Sequence, residues 1–230
     1  MKTKILVSLT TTNSHRRDFA KVVQEIDQFG LKEIAFFPTA VDSVKRQELY
    51  KLLEQSKVEK IPFVHLRSDM SEEEIDYLID RFGTEVFNIH SINSKYPFAE
   101  RFTKYGDKIY IENQYCYLSD EEIEKYAGIC LDTSHFEDFR KTGSPYYNYF
   151  CDLLPKCTCG CGHISSIKSI PWINWRGLWF SFSYHHYRKL SEFDYLKRHQ
   201  AYLPEILALE LENSIEEQLL AKKYIEDLLK

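Results

Sequence analysis

Gly128-Ile-Cys-Leu-Asp-Thr-Ser-His135 is the stretch that decides the fold. A small, apolar run leads straight into Asp132, and a histidine follows three residues later. A short apolar run ending in a carboxylate reads as a buried parallel strand with a polar C-terminal tip. Asp132 and His135 then share the strand-to-helix turn, close enough to share one metal or one substrate. An aspartate that only caps the next helix would use the same letters. What separates the two readings is whether other strands end the same way.

They do. Upstream, strands are read at Lys4–Leu9, Glu33–Phe37, Ile61–His65, Val86–His90 and Lys108–Asn113, and downstream at Cys159–Ile164 and Ile206–Leu211. Between them lie helical patterns: Ser14–Phe29 with Gly30 as a stop, Asp42–Gln55, a helix opened by the capping box at Ser71–Glu74 and running to Phe82, and an aromatic turn over Phe98–Tyr105. Ser119–Glu122 caps a short helix, and another starts near Glu137 and is interrupted at Gly143 and Pro145. Ser165–Lys189, with all three tryptophans, reads as irregular. A helix over Phe193–Gln200 and an amphipathic helix over Ile215–Leu229 complete the chain. Eight strands alternating with helices place the chain in the α/β class, as a single (β/α)8 TIM barrel domain over residues 1–230. A doubly wound sheet would want a glycine-rich first turn, and Ser8–Asn13 contains no glycine.

Composition agrees with a well-filled globular domain, at 43% hydrophobic and 28% charged residues. A net charge of −5 argues against a broad basic nucleic-acid surface. No apolar run is long enough to span a membrane, and Met1-Lys-Thr-Lys4 leads into a strand rather than a signal segment. A cytoplasmic chain is expected, with its six cysteines reduced.

In a barrel, all strand C-terminal tips converge on one face, where the βα loops build the site. The tips here carry His65, His90, Glu112, Asp132 with His135, His163, and Glu210 with Glu212, while His185 and His186 precede the last strand. His15 and His199 fall on helical segments, where a solvated surface position is the expectation. Histidine, glutamate and aspartate together suit Zn²⁺ or Mn²⁺, with Mg²⁺ or Co²⁺ as alternatives. Strand parity puts Ala208, Glu210 and Glu212 on one face. An uncompensated Glu210 on so apolar a strand would be costly, and a metal would compensate it, with Glu212 as the fallback ligand. Cys157-Thr-Cys-Gly-Cys-Gly-His163 lacks the wider spacing of zinc ribbons. It reads as core cysteines below a histidine at the strand tip.

These short motifs resemble the xylose-isomerase-like barrel superfamily, which includes sugar-phosphate isomerases and epimerases and the endonuclease IV group. Ile111-Glu-Asn113 is similar to its strand-five glutamate, Leu131-Asp-Thr-Ser-His135 to its Asp-x-x-His, Gly162-His-Ile-Ser165 to its strand-seven histidine and Leu209-Glu-Leu211 to its last glutamate. The resemblance implies that Glu112, Asp132, His163 and Glu210 hold one divalent metal. It implies a second metal, or substrate contacts, at His65, His90, His135 and His185. Ser183-Tyr-His185 stands where the nuclease branch carries Asp-x-His, so an anionic ligand for a third ion is missing.

The expected function is a metal-dependent isomerase or epimerase acting on a small carbohydrate: a sugar, sugar phosphate or related polyol. The metal would polarise a carbonyl, and Glu112 and Glu210 would remove and return a proton on its two faces. His135 and His90 would bind hydroxyls, and Trp172, Trp175 and Trp179 would wall the pocket. The alternatives are an endonuclease IV-like phosphoesterase acting on abasic DNA, with phosphate contacts from His15-Arg-Arg17 or Arg67, and a barrel that has lost activity and binds a partner.

Overall fold

The computed structural model describes residues 3–12, 18–95, 100–174 and 179–230. His15, Arg16, Arg17, Phe98, Trp175 and the side chain of Trp179 lie outside the described residues. In chain order the elements are β1 (Lys4–Leu6), β2 (Ser8–Thr10), α1 (Phe19–Gln28), β3 (Glu33–Phe37), α2 (Ser43–Glu54), β4 (Lys60–His65), α3 (Glu72–Phe82), β5 (Val86–Ile89), β6 (Ile109–Glu112), α4 (Asp120–Lys125), β7 (Gly128–Asp132), α5 (Thr133–Thr142), α6 (Pro145–Leu153), β8 (Cys159–Ile164), β9 (Ser166–Asn174), β10 (Trp179–Tyr184), α7 (Leu196–His199), β11 (Ile206–Leu209) and α8 (Ile215–Leu228).

Nine parallel strands form one sheet in the order β1-β11-β8-β7-β6-β5-β4-β3-β2. The ninth strand is a division of the expected first one. β1 pairs with β11 and β2 with β3, so the chain changes partner at Val7 and the two short strands close the ring together. Gln218 of α8 secures that join, accepting from the Ser8 amide at 2.9 Å and donating to the Ser8 carbonyl at 3.1 Å.

The strands separate two apolar layers. Inside the barrel pack Leu6, Ala35, Phe37, Phe63, Cys130, Cys161 and Ala208. Outside, residues such as Leu9, Phe36, Val64, Ile111 and Leu131 pack against the helices. Gly160 is the extra residue where β8 advances two positions against one in β7. A Cβ there would lie 2.2 Å from the Tyr110 ring, so the bulge requires glycine. The bulge breaks the expected row of cysteines. Cys161 points into the barrel, whereas Cys157 and Cys159 pack against the outer layer.

Four further departures have local causes. α5 begins at Thr133 rather than near Glu137, because Asp132 serves as its N-cap. Ser165–Lys189 contains an antiparallel hairpin of β9 and β10, whose Ser181, Phe182 and Ser183 continue a strand alternation. The expected helix over Phe193–Gln200 is a short α7 between two 3₁₀ turns. His199 is buried rather than solvated, with its Nε2 2.9 Å from the Glu137 carboxylate. No helix among the described residues is long and apolar enough to cross a membrane.

Candidate metal centre

The site follows from strand parity. On six strands the last inward apolar residue is succeeded, two positions on, by an inward polar one: Phe63 by His65, Val86 by Asn88, Tyr110 by Glu112, Cys130 by Asp132, Cys161 by His163 and Ala208 by Glu210. The polar layer therefore sits on an apolar floor, and Asn88, Glu112, Asp132, His163 and Glu210 are all buried.

Glu112 is the hub. Its Oε2 lies 3.3 Å from His163 Nε2, 3.3 Å from His65 Nε2 and 3.7 Å from His90 Nε2, and its Oε1 lies 3.5 Å from His135 Nδ1. Asn88 Nδ2 donates to Oε2 at 2.9 Å, and the Gln114 amide donates to Oε1. On the other side, His163 Nδ1 stands 3.4 Å from Asp132 Oδ2 and 3.1 Å from Glu210 Oε2. Asp132 divides its two oxygens between two tasks. Oδ1 accepts from the Ser134 and His135 amides at 2.7 and 2.8 Å and caps α5, while Oδ2 turns toward His163 and His135. Asn113 fixes that turn, donating to the Asp132 carbonyl and accepting from its amide.

Two groups have metal-binding spacing: Glu112, Asp132 and His163, and His65, His90 and Glu112. Glu210 joins the first through His163. Asp132 Oδ2, His163 Nδ1 and His135 Nδ1 are buried without hydrogen-bond partners among the described residues. Donor atoms gathered at 3–3.5 Å without hydrogen-bond geometry fit a shared cation, because desolvated lone pairs otherwise go unsatisfied. His65 Nδ1 donates to the Leu66 carbonyl at 2.8 Å, which fixes the tautomer and leaves Nε2 as a lone pair facing His90 and Glu112. His185 Nδ1 is likewise engaged with the Glu210 carbonyl at 3.2 Å. Neither His185 nor any cysteine belongs to either group.

The electrostatics show how the cluster balances itself. Burial alone would raise the Glu112 carboxyl, but the imidazoles of His163 and His90 hold it well below the ordinary range. Burial is likewise outweighed at Asp132 by His135 and His163, and at Glu210 by His185 and His163, so both are lowered. In the opposite sense His163, despite burial, is raised by Glu112 and Asp132. Burial does win at His90, whose pKa falls to about 4. The clustered carboxylates thus favour the charged form of His163 and, through Glu210, of His185, and a cation can take the place of that positive charge.

Above this layer opens a cavity of about 570 Å³. Glu112 and Glu210 line it with His65, His90, His135 and His185, whereas Asp132 and His163 lie behind them. Trp172 is not part of the wall; its indole donates to the Ser183 carbonyl within the hairpin. Ser183 Oγ is 2.8 Å from Ser134 Oγ, at the edge of the Asp132 cap. Asn88 and Gln114 are absent from the sequence reading, although counting back by two from His90 and forward by two from Glu112 along the strand parity would have found both.

No protein-family model matches the chain, and no curated protein matches it by sequence. Solved structures do match in fold. The probable 3-DHS dehydratase AsbF of Bacillus anthracis, involved in petrobactin synthesis, superposes with a TM-score of 0.53 at 15% identity, covering 96% of this chain and 98% of its own. The IOLI protein, solved with a binding zinc atom, gives 0.52 at 12% identity over 97% and 98%. An uncharacterized protein from Parabacteroides distasonis gives 0.50 at 12% identity over 96% and 98%. The chain therefore shares its α/β-barrel fold with these structures.

Proposed function

We propose that this barrel is a metal-dependent isomerase or epimerase acting on a sugar, sugar phosphate or related polyol. The observation that carries the proposal is the set of three buried carboxylates around His163, with Asp132 Oδ2 and His163 Nδ1 lacking any hydrogen-bond partner among the described residues. A divalent ion held by Glu112, Asp132, His163 and Glu210 would act as a Lewis acid, polarising a substrate carbonyl and acidifying the neighbouring C–H. The zinc of the IOLI protein makes Zn²⁺ the first choice, with Mn²⁺ beside it.

The chain's own residues divide the remaining work. Asp132 and His163 lie behind the cavity wall and act as anchors. Glu112 and Glu210 reach the cavity from β6 and from the end of β11, so these two can take a proton from a substrate carbon and return it. His135 and His90, on the same wall, hydrogen-bond substrate hydroxyls. Asn88 and Gln114 hold the Glu112 carboxylate in place.

The test is metal analysis together with deuterium exchange. Protein reconstituted with Zn²⁺ or Mn²⁺ should hold one tight ion per chain and catalyse exchange of a carbon-bound proton in a ketose panel in D₂O. Glu112→Gln and Glu210→Gln should abolish that exchange. Reconstituted protein that retains no ion would end the proposal. The His65–His90–Glu112 group supports a second reading, an endonuclease IV-like phosphoesterase with two or more ions. Three ions at full occupancy with nicking of abasic DNA would establish it instead.

A further inference from the structure

The cavity has two unlike walls. The end of β6, the first turn of α5 and the residue after β11 supply Glu112, His135 and Glu210, and the loops after β2, β3 and β4 supply Thr12, Thr39, Ala40, Arg67 and Ser68. Among the described residues lining the cavity, Arg67 is the one lysine or arginine, and its wall carries hydroxyls in place of carboxylates.

Arg67 is held rigidly. Its Nε donates to Asp69 Oδ1 at 2.9 Å, and its Nη1 donates to the Thr39 carbonyl. Asp69 is in turn held by Arg46, whose Nη1 donates to both of its oxygens at 3.2 and 3.1 Å. Arg46 is fully buried and takes a bidentate grip on Glu74, at 2.7 and 3.1 Å. A network anchored on the buried Arg46–Glu74 pair of α2 and α3 thus orients, through the partly exposed Asp69, one guanidinium at the cavity rim. Asp69 is shared between two guanidiniums, and Arg67 Nη2 makes no hydrogen bond among the described residues. A pre-oriented guanidinium with an open edge suits an oxyanion, since little side-chain entropy remains to be lost.

We propose that Arg67, with the hydroxyls of Thr12, Thr39 and Ser68, forms a subsite for an anionic oxyacid group of the substrate, a phosphate or a carboxylate, across the cavity from the carboxylate wall. The proposal rests on the metal-dependent reading above and narrows its substrate class from sugars, sugar phosphates and polyols to the anionic ones among them. The division of labour is electrostatic: the carboxylate wall takes the hydroxyl-bearing end through its cation, and Arg67 takes the opposite end. A single charge-assisted contact of this kind corresponds to an affinity ratio of about tenfold to a hundredfold.

The experiment measures, by calorimetry, binding of ribitol, ribitol 5-phosphate and ribonate to zinc-loaded protein and to its Arg67→Gln and Arg67→Lys variants. The expected result is that one anionic ligand binds wild type at least about tenfold more tightly than ribitol. Arg67→Gln should shrink that ratio to within about threefold, with Arg67→Lys between, because an ammonium keeps the charge and loses the fork. Whether the phosphate or the carboxylate shows the ratio identifies the group. An anion preference that survives in Arg67→Gln, or no preference in wild type, overturns the proposal. Metal-free protein separates the two readings. If polyol binding needs zinc but ignores Arg67, the subsite is wrong and the metal reading stands. If ribitol 5-phosphate binding follows Arg67 with or without zinc, the subsite stands and the metal reading fails.

Discussion

Two regions of this barrel bury ionised groups, and they do so in opposite ways. In the α2–α3 layer Arg46 is fully buried, but every charge has a counterpart. Its guanidinium donates to Glu74, Asp69 and the Val41 carbonyl, and Tyr50 donates a further bond to Glu74 at 2.7 Å. At the barrel mouth three carboxylates face imidazoles with Asp132 Oδ2 and His163 Nδ1 unbonded among the described residues. Arg46 and Glu74 are buried as Glu112 and Asp132 are, with Asp69 partly exposed beside them, so burial alone does not separate structure from function. The balance of donors and acceptors does: a closed network holds the fold together, and one short of a cation marks a place where something binds.

The sharpest break of this comparison is Glu112→Gln. Removing the hub should lower kcat/KM by about 10³ to 10⁴, read by steady-state kinetics once a turned-over substrate is known. The metal-free variant should lose less stability than the next one. Arg46→Met should cost about 3–5 kcal/mol in urea unfolding, because Glu74 is left buried and unpaired, and a further Glu74→Leu should recover most of it. Third, a saturating divalent ion at about a hundred times its Kd should add ~2.7 kcal/mol, visible as a higher Tm by calorimetry. Asp132→Asn should lose that increment, whereas Arg46→Met should keep it, since distant sites add independently.

A pH series adds a fourth, smaller effect. Burial opposes ionisation of Glu137, but Arg140 and His199 outweigh it and bring the carboxyl down to about 2. Its folded pKa is below the ordinary value, so the unfolded chain takes up the proton first as pH falls. The contribution, on the order of 2 kcal/mol, is therefore complete above about pH 4.5 and is lost as pH falls toward 2. Urea unfolding across that window should show a slope that Glu137→Gln flattens. The last expected effect is none: replacing Cys157, Cys159 and Cys161 with alanine should leave the bound-metal count unchanged, because none of them belongs to either cluster.

Much of the fold was legible because the strands announce themselves. Glu33–Phe37 and Cys159–Ile164 form strands with the expected ends. Asp132 shows why single motifs mislead: the capping reading and the site reading are both correct, one for each carboxylate oxygen. Parity placed Glu210 inward, and Glu210 rather than Glu212 meets His163. Asn88 escaped notice because an amide carries no metal signature, although it lies between two groups that do. The hairpin escaped because Pro171 and the tryptophans look irregular, while Phe180-Ser-Phe-Ser-Tyr184 alternates as a strand should.

Closure of the ring has a consequence for the order in which the molecule is made. From β3 to β8 each strand pairs with its sequence neighbour, so those pairings can accumulate as the chain leaves the ribosome. The seam cannot: it joins Lys4–Leu6 to Ile206–Ala208, and Gln218 reaches Ser8 across 210 residues. Loop-closure entropy must be met before those contacts reward it, which places the seam last and makes it slow. Until then β1 stands as an unpaired edge open to association with other chains. Glu210 arrives with the same seam, so a growing chain lacks one of the four donors of the proposed metal site until the ring shuts.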